Sequence, residues 1–296
     1  MGPLNDYRLV AALADESHFG KAAERCHLSA SAATRALQRI EQQLGVTLFE
    51  RDNRSVMLTQ HGDLYVTHAR RALAEWETLQ AALHNDAAKL KGELSVYCSV
   101  TAVYSLLQPI VQRCRTEYPD IELRLHTGDQ ADAVQRVTEH RNHIAIAACP
   151  SHLPDSLEFQ PITMSDFVLI KPVKNDELLS PYIKDNVVQD WASVPVILPE
   201  RGFGRERMDS FFKARKINPH IYAAVAGHEA VVAMVALGFG VGGVPQLVVD
   251  SSPQKDEVQV LSQIEAIPAV NIGLICHKRH KQNPVVNAFW ALASAL

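Results

Sequence analysis

The sequence predicts an α+β, multi-domain chain: a small helical head, one long helix, and a two-lobed α/β domain. Three observations carry that expectation. Apolar residues recur at helical spacing from residue 4 to residue 44, a proline-free heptad seam runs from Thr59 to Leu90, and strand-like and helix-like segments alternate beyond Lys91-Gly92. The length of 296 residues exceeds one ordinary core and fits two or three modules.

In the head, Tyr7, Val10, Ala11 and Ala14 have the i, i+3, i+4, i+7 spacing of an amphipathic helix over residues 4–16. A short helix fits Gly20–Cys26, and His27-Leu28 makes a tight connection. Ser29 is placed as the N-cap of a third helix that runs to Leu44 and is ended by Gly45. Ala33, Leu37, Ile40 and Leu44 form its inward stripe. Its other face begins at Ser29 and carries Ala30, Ser31, Thr34, Arg35 and Gln38, all small or hydrogen-bonding and none acidic. Small residues let a helix seat deeply in a DNA major groove, and Arg and Gln bond bidentately to guanine and adenine edges. Two helices joined by a short turn, the second presenting such a face, form a helix-turn-helix. Taken alone, the segment also fits a solvated face on an ordinary three-helix bundle.

The next residues favour the first reading. Leu48–Arg51 and Ser55–Leu58 read as two strands around Asp52-Asn53-Arg54, a wing on which Arg51 and Arg54 meet phosphates and Asn53 joins the DNA-binding set. Between residues 25 and 54 five basic side chains (Arg25, Arg35, Arg39, Arg51, Arg54) face three acidic ones (Glu41, Glu50, Asp52). The whole chain has 29 basic and 33 acidic residues, a formal charge of −4, so any nucleic-acid surface has to be local.

In the long helix, Tyr65, Ala69, Ala72, Trp76, Leu79 and Leu83 alternate steps of four and three. A rod of this kind, roughly 45 Å long at 1.5 Å per residue, has too little core of its own and pairs with a second copy. The α/β part reads as strand Leu94–Ser99, helix Val103–Thr116, strand Ile121–His126, helix Ala131–His140 and strand Ile144–Ala148, a mostly parallel sheet. A second cycle has strands Phe167–Ile170, Val194–Leu198, Ile221–Val225 and one near Val241, with helices near Arg205–Ala214 and Glu229–Leu237. Strand Ile272–Cys276 and helix Val285–Leu296 return to the first lobe. The expected domains are a winged helix-turn-helix at 1–58, a linker and dimerisation helix at 59–91, and a domain at 92–296. Lobe I of that domain spans about 92–163 and 268–296, and lobe II about 164–267.

Composition excludes several classes. A hydrophobic fraction of 47% with 21% charged residues is that of a soluble globular protein. No stretch approaches the roughly 18–20 apolar residues of a membrane span. MGPLNDYRLV lacks the features of a signal peptide, so a cytoplasmic location without a membrane partner is expected. The five cysteines (Cys26, Cys98, Cys114, Cys149, Cys276) are scattered without Cys-x-x-Cys and read as small buried hydrophobes, not as a disulfide framework or zinc site. Phosphate-loop, metalloprotease and nucleophile-elbow motifs are missing. The glycines Gly238, Gly240, Gly242 and Gly243 follow a helix and precede a strand, the reverse of a dinucleotide fingerprint. No enzyme, metal or cofactor is therefore expected. A stand-alone solute-binding protein is disfavoured by the extra head and rod, and a DNA-architectural protein remains as an alternative.

The head resembles the LysR-type transcriptional regulators. Ala22-Ala23-Glu24, Leu28-Ser29, Thr34-Arg35, Ile40-Glu41-Gln42-Gln43-Leu44-Gly45, Leu48-Phe49-Glu50-Arg51 and Leu58-Thr59-Gln60-His61-Gly62 fall in that family's order. Ala30 and Ser31 depart from its usual Gln and Pro, which touches base preference more than docking. The rest is similar to the family's effector domain, itself like type-2 periplasmic binding proteins. The resemblance implies double-stranded DNA with dyad symmetry as partner, a small carboxylate effector, RNA polymerase contact, and a homodimer or homotetramer. Cys98–Ala102, Thr127–Asp129, Gly227–Ala230 and Val235–Gly238 look closer to one member, which implies an activator in branched-chain amino-acid synthesis whose co-inducers are acetolactate and acetohydroxybutyrate. The alternative is a regulator of a different pathway with another small carboxylate effector.

Between two such lobes lies a cleft where small ligands bind. Ser99, Val100 and Thr101 end the first strand before a helix, where free N–H groups and hydroxyls suit a carboxylate, although simple capping fits as well. Thr127 and Gly128 are expected to line the cleft with Ala147, and Asp129 to cap the next helix. From lobe II, Pro199, Glu200, His228 and Glu229 face it, with Arg201 as the nearby cation, although a surface cap fits His228 equally and a solvated loop side chain fits Arg201.

Overall fold

The structure, a computed structural model, describes residues 2–51, 56–84, 90–174, 179–262 and 267–294. The head consists of α1 (Pro3–Glu16), α2 (Phe19–Arg25), α3 (Ala30–Leu44) and the antiparallel pair β1 (Phe49–Arg51) and β2 (Val56–Leu58). Ser29 Oγ accepts from Ala32 N–H at 3.2 Å, and Gly45 ends α3 in the left-handed region at φ 69°. Val10, Leu13, Leu37, Ile40, Leu48 and Phe49 form the core. Leu44 does not join the stripe and is 45% exposed, while Ala36 is buried in its stead. Small Ala23, Ala33 and Ala36 let α2 and α3 approach closely. Glu41, on the surface by sequence, accepts from the backbone N–H of Leu48 and Phe49 and so ties the wing to α3. The wing tip, with Asn53 and Arg54, lies outside the described residues, as does the side chain of Arg51.

Helix α4 (Gln60–His84) starts where Thr59 Oγ1 donates to the Thr47 carbonyl and accepts from Gly62 N–H. Gly62 abuts the wing so closely that a Cβ would lie 2.0 Å from the Leu48 carbonyl oxygen. The heptad seam divides in two. Its first half is consumed by the chain's own head: Ala69 is buried and Tyr65 packs on Tyr7 of α1. Beside the seam Val66 and Arg70 are buried too, Arg70 bonding Asp15 of α1 at 2.6 Å. Its second half presents Trp76, Leu79 and Leu83 to solvent. No helix among the described residues is long and apolar enough to cross a membrane.

The C-terminal domain begins with β3 (Gly92–Cys98). A continuous helical run follows, comprising α5 (Val100–Ala102), a π-helical turn over Val103–Leu107, and α6 (Gln108–Glu117). Ser99 caps the run, so it starts earlier than the expected Val103. Pro109 has no N–H to offer the preceding turn, which is consistent with the wider winding just before it. Then come β4 (Ile121–Thr127), α7 (Ala133–Thr138), β5 (Ile144–Ala148), β6 (Leu157–Pro172), β7 (Ile183–Lys184) and β8 (Val187–Val188). They are followed by β9 (Pro195–Pro199), α8 (Phe203–Ala214), β10 (His220–Val225), α9 (His228–Ala236), β11 (Val241–Pro245) and α10 (Gln246–Asp250). The chain closes with β12 (Val258–Val260), β13 (Ile267–His277) and α11 (Pro284–Ala293).

One sheet runs β10-β9-β11-β6-β13-β5-β3-β4, with β12 also on β6. Parallel β4, β3 and β5 build lobe I, and parallel β9, β10 and β11 build lobe II. Antiparallel β6 and β13 join them. β6 extends ten residues before the expected Phe167, because Pro161 and uneven polarity hide a strand that serves both lobes. Each sheet face carries a core. In lobe I, Leu94, Val96, Ile110, Leu274 and Phe289 pack on one side, and Tyr97, Val137 and Ala145 on the other. α11 returns to lobe I, and Cys98, Cys114 and Cys276 are buried free thiols. Gly238 caps α9 at φ 87°, and the glycines after it enter β11, where a Cβ on Gly242 would sit 2.6 Å from Val231.

α4 meets lobe I through charged and histidine side chains. Arg279 bonds Glu75 at 3.0 Å, His143 Nε2 lies 3.3 Å from Glu77, and Arg70 lies 3.6 Å from Glu139. His280 is buried. Its Nδ1–H donates to the His143 carbonyl at 3.2 Å, so its Nε2 accepts from His140 Nδ1–H at 2.8 Å. Burial, then the neighbouring His277, Arg279, Arg71 and His143, push the His140 pKa down to about 4, and burial pushes His280 well below its usual range. A histidine depressed in the folded state stabilises fully above its unfolded value near 6.5, and that contribution is lost as pH falls toward 4. His140 alone makes the protein about 1–2 kcal/mol less stable at pH 5 than at pH 7.5, the lower figure allowing for solvent screening of its partly exposed ring. Thermal unfolding at the two pH values should show a drop of at least this size, and His140→Gln should lessen it by about the His140 share, the depressed His280 and His228 keeping the rest.

Candidate functional site

Two surfaces hold the residues singled out from the sequence. On α3, Ser29, Ala30, Ser31, Arg35 and Gln38 are exposed along one face, and Thr34 is half-buried beside them. The Ser29 hydroxyl is engaged with Ala32 N–H and with Ser31 Oγ at 3.1 Å. The Thr34 hydroxyl donates to the Ala30 carbonyl at 2.9 Å, which leaves its oxygen as an outward acceptor. Arg35 and Gln38 are exposed and have no side-chain partner among the described residues. The local positive charge is smaller than the sequence count suggests. Arg25 is paired with Asp15 and Glu16, and Arg39 with Asp6, so both brace the helices of the head.

The second surface is the cleft between the lobes. Among the described residues it holds a cavity of about 30 Å³, whose polar lining is Ser99, Thr101, Gln130, His228 and Glu229. Apolar walls come from Leu106, Ile146, Ala147, Leu247 and Ile272. A neighbouring cavity of about 140 Å³ shares Gln130 and Ala147 and reaches Phe203. The first accommodates little more than a water molecule. Among the described residues, neither is lined by a lysine or arginine.

Three contacts bridge the lobes there. Glu229 Oε1 accepts from the Thr101 hydroxyl at 2.7 Å and from Thr101 N–H at 3.1 Å. Gln130 Nε2 faces His228 Nδ1 at 2.7 Å. Arg201 bonds Asp132 at 2.6 Å and Asp129 at 3.5 Å, so the cation expected near the cleft is neutralised by two carboxylates of lobe I. Hydrogen bonds to Thr101 and to its own N–H hold the Glu229 pKa below its usual value against its burial. Burial pushes His228 down to about 4, so its ring is neutral at pH 7. With Gln130 donating to Nδ1, the ring proton sits on Nε2, which is buried without a partner among the described residues and packs against Gly204. A polar group left so costs about 1–3 kcal/mol.

Of the residues read from sequence, Ser99, Thr101, Ala147, His228 and Glu229 come together. Val100 is half exposed and lines neither cavity. Thr127 and Gly128 are exposed and also line neither; Gly128 is needed where the Tyr97 hydroxyl passes on its way to the Asp129 carbonyl, since a Cβ would lie 2.5 Å from that oxygen. Pro199 is buried in β9 and Glu200 points outward. Asp129 caps the turn after β4 through Ala131 N–H, as expected. Gln130 and Phe203, which contact His228, escape sequence reasoning because a loop glutamine and a helix-end phenylalanine follow no period.

The profile of the LysR substrate binding domain matches residues 87–296, and that of the bacterial regulatory helix-turn-helix protein, lysR family, matches residues 4–63. The HTH-type transcriptional activator IlvY of Salmonella typhimurium is 38% identical over 292 residues, 98% of each chain. The HTH-type transcriptional regulator IlvY of Escherichia coli is 38% identical over 294 residues, again 98% of each. Among solved structures, a full-length OxyR variant from Pseudomonas aeruginosa superposes with a TM-score of 0.67 at 21% identity, covering 99% of this chain and 95% of that one. Full-length CbnR complexed with its target DNA gives a TM-score of 0.62 at 24% identity over 99% of both chains. The chain belongs to the LysR family of bacterial DNA-binding transcriptional regulators.

Proposed function

We propose that this regulator is an activator of a gene of branched-chain amino-acid synthesis, switched by an acetohydroxy acid bound between its lobes. The observation that carries the reading is the convergence of Ser99, Thr101, Gln130 and His228 on one cleft, in a chain 38% identical to IlvY over 98% of its length. Acetolactate and acetohydroxybutyrate carry a carboxylate, a hydroxyl and a ketone on a small branched skeleton. Thr101 N–H and O–H suit the carboxylate, neutral His228 and Gln130 suit the hydroxyl and ketone, and Leu106, Ile146 and Ile272 suit the alkyl part.

Residues 1–58 read DNA and 59–91 pair two chains, through the ridge Ala72, Trp76, Leu79 and Leu83. Residues 92–296 sense the effector, with lobe I about 92–163 and 268–296 and lobe II about 164–267. Pairing sets two α3 helices on a dyad-related site in successive major grooves, and association of C-terminal domains extends the dimer to a tetramer. The effector acts by binding one placement of the two readers more tightly than the other. RNA polymerase receives the output.

Calorimetric titration of the full chain with acetolactate tests the effector. Binding selective over pyruvate and 2-ketoisovalerate is expected, and a folded protein that binds none of the three removes the assignment. For the DNA face, Arg35→Ala should weaken operator binding by about 1–3 kcal/mol with little change on random DNA. Unaltered discrimination in a gel-shift competition would take Arg35 out of base readout.

A further inference from the structure

The donor pair assigned above to the effector's carboxylate is already held by a carboxylate. Glu229, on the first turn of α9 in lobe II, reaches across to lobe I and takes both the hydroxyl (2.7 Å) and the N–H (3.1 Å) of Thr101 on one oxygen. The contact is built in. Thr101 is buried, Ser99 caps the same helical run, and the cavity around the pair measures only about 30 Å³. Among the described residues no lysine or arginine lines that cavity, His228 beside it is neutral, and Arg201 is tied to Asp129 and Asp132. Two carboxylates on one uncompensated donor pair repel each other, and in a half-buried site that repulsion is screened much less than at the surface.

We propose that Glu229 is an intramolecular stand-in for the effector's carboxylate, and that a carboxylate ligand binds by exchanging with it at Thr101. The exchange releases a bridge between the lobes, so occupation of the site is converted directly into a change of lobe coupling. It also sets specificity. A ligand has to offer the carboxylate that replaces Glu229 together with further groups for Gln130 and His228, so a bare carboxylate competes poorly. The inference rests on the reading of the cleft as a small-carboxylate site, but the Glu229–Thr101 contact is testable without any ligand.

Two measurements on the full chain decide it. Hydrogen–deuterium exchange of the peptide containing Thr101, before any carboxylate is added, should quicken at least tenfold in Glu229→Ala and less in Glu229→Gln, which retains an acceptor. Calorimetry should then show acetolactate binding at least tenfold tighter to Glu229→Ala than to the parent, with Thr101→Val weakening binding in both backgrounds. Unchanged exchange in a folded Glu229→Ala overturns the contact. Binding to Glu229→Ala that is weakened as much as by Thr101→Val overturns the exchange, because Glu229 would then be holding the ligand. If exchange quickens and acetolactate binds no variant, the acetohydroxy-acid reading fails by itself. Pyruvate and 2-ketoisovalerate then serve as carboxylate probes, and tighter binding of either to Glu229→Ala supports displacement. Failure of both to bind that variant overturns it.

Discussion

Two antiparallel strands, β6 and β13, run through both lobes of the C-terminal domain, and the rest of that domain depends on their pairing. β13 pairs with β5 in lobe I, while β6 pairs with β11 and β12 in lobe II, so the lobes are halves of one hydrogen-bonded sheet. Their ladder is irregular between Ile267 and Val270 and between Ile272 and Gly273, opposite the stretch from Pro161 to Phe167. Proline cannot donate to a ladder, and bulged pairings bend more readily than regular ones. Gly273 is required there, since a Cβ would lie 2.0 Å from the Gln160 carbonyl oxygen. The crossing between the lobes therefore runs through a short irregular segment, with a packed core on either side.

That geometry places the ends of β3, β4 and β5 opposite the N-termini of α8 and α9, where the side-chain bridges form. The chemistry of the cleft is that of neutral donors and compensated charge. Thr101 supplies hydrogen bonds, burial keeps His228 uncharged, and nearby Arg201 is saturated by two aspartates. Such a site favours a ligand recognised by the directions of its hydrogen bonds over one attracted by net charge. At the other end of the domain, α4 touches lobe I through Glu75, Glu77, His143 and Arg279, a polar joint between the cleft-bearing domain and the DNA-binding head.

Much of the head was legible in the sequence because independent local signals agree. A serine cap, an apolar stripe and a terminal glycine coincide on α3, and the wing follows at once. The heptad seam was equally legible, but its partner was not: period alone does not tell that Tyr65 and Ala69 would be consumed by the chain's own head while Trp76, Leu79 and Leu83 remain outside. β6 was seen only in its second half, since a strand shared by two lobes buries its residues unevenly. In the cleft, residues at strand ends could be placed from order alone, and Ser99, Thr101, His228 and Glu229 meet there. What each one binds is set by partners far along the chain: Glu229 for Thr101, Gln130 for His228, Asp132 for Arg201. Those pairings are tertiary, and no local pattern announces them.

Glu229, Gln130 and Arg201 bridge the lobes across the cleft proposed above as the effector site. Spin labels introduced as unnatural amino acids at exposed Glu122 in lobe I and Lys255 in lobe II would report the gap by pulsed electron resonance. The labelled full chains would be co-assembled with a large excess of unlabelled chain, so that each oligomer holds one labelled pair. The account predicts one narrow distance distribution before any carboxylate is added and a shift of its mean on saturation with acetolactate. A broad distribution that narrows only when acetolactate is added would contradict it, since the lobes would then be held by the ligand and not by Glu229, Gln130 and Arg201.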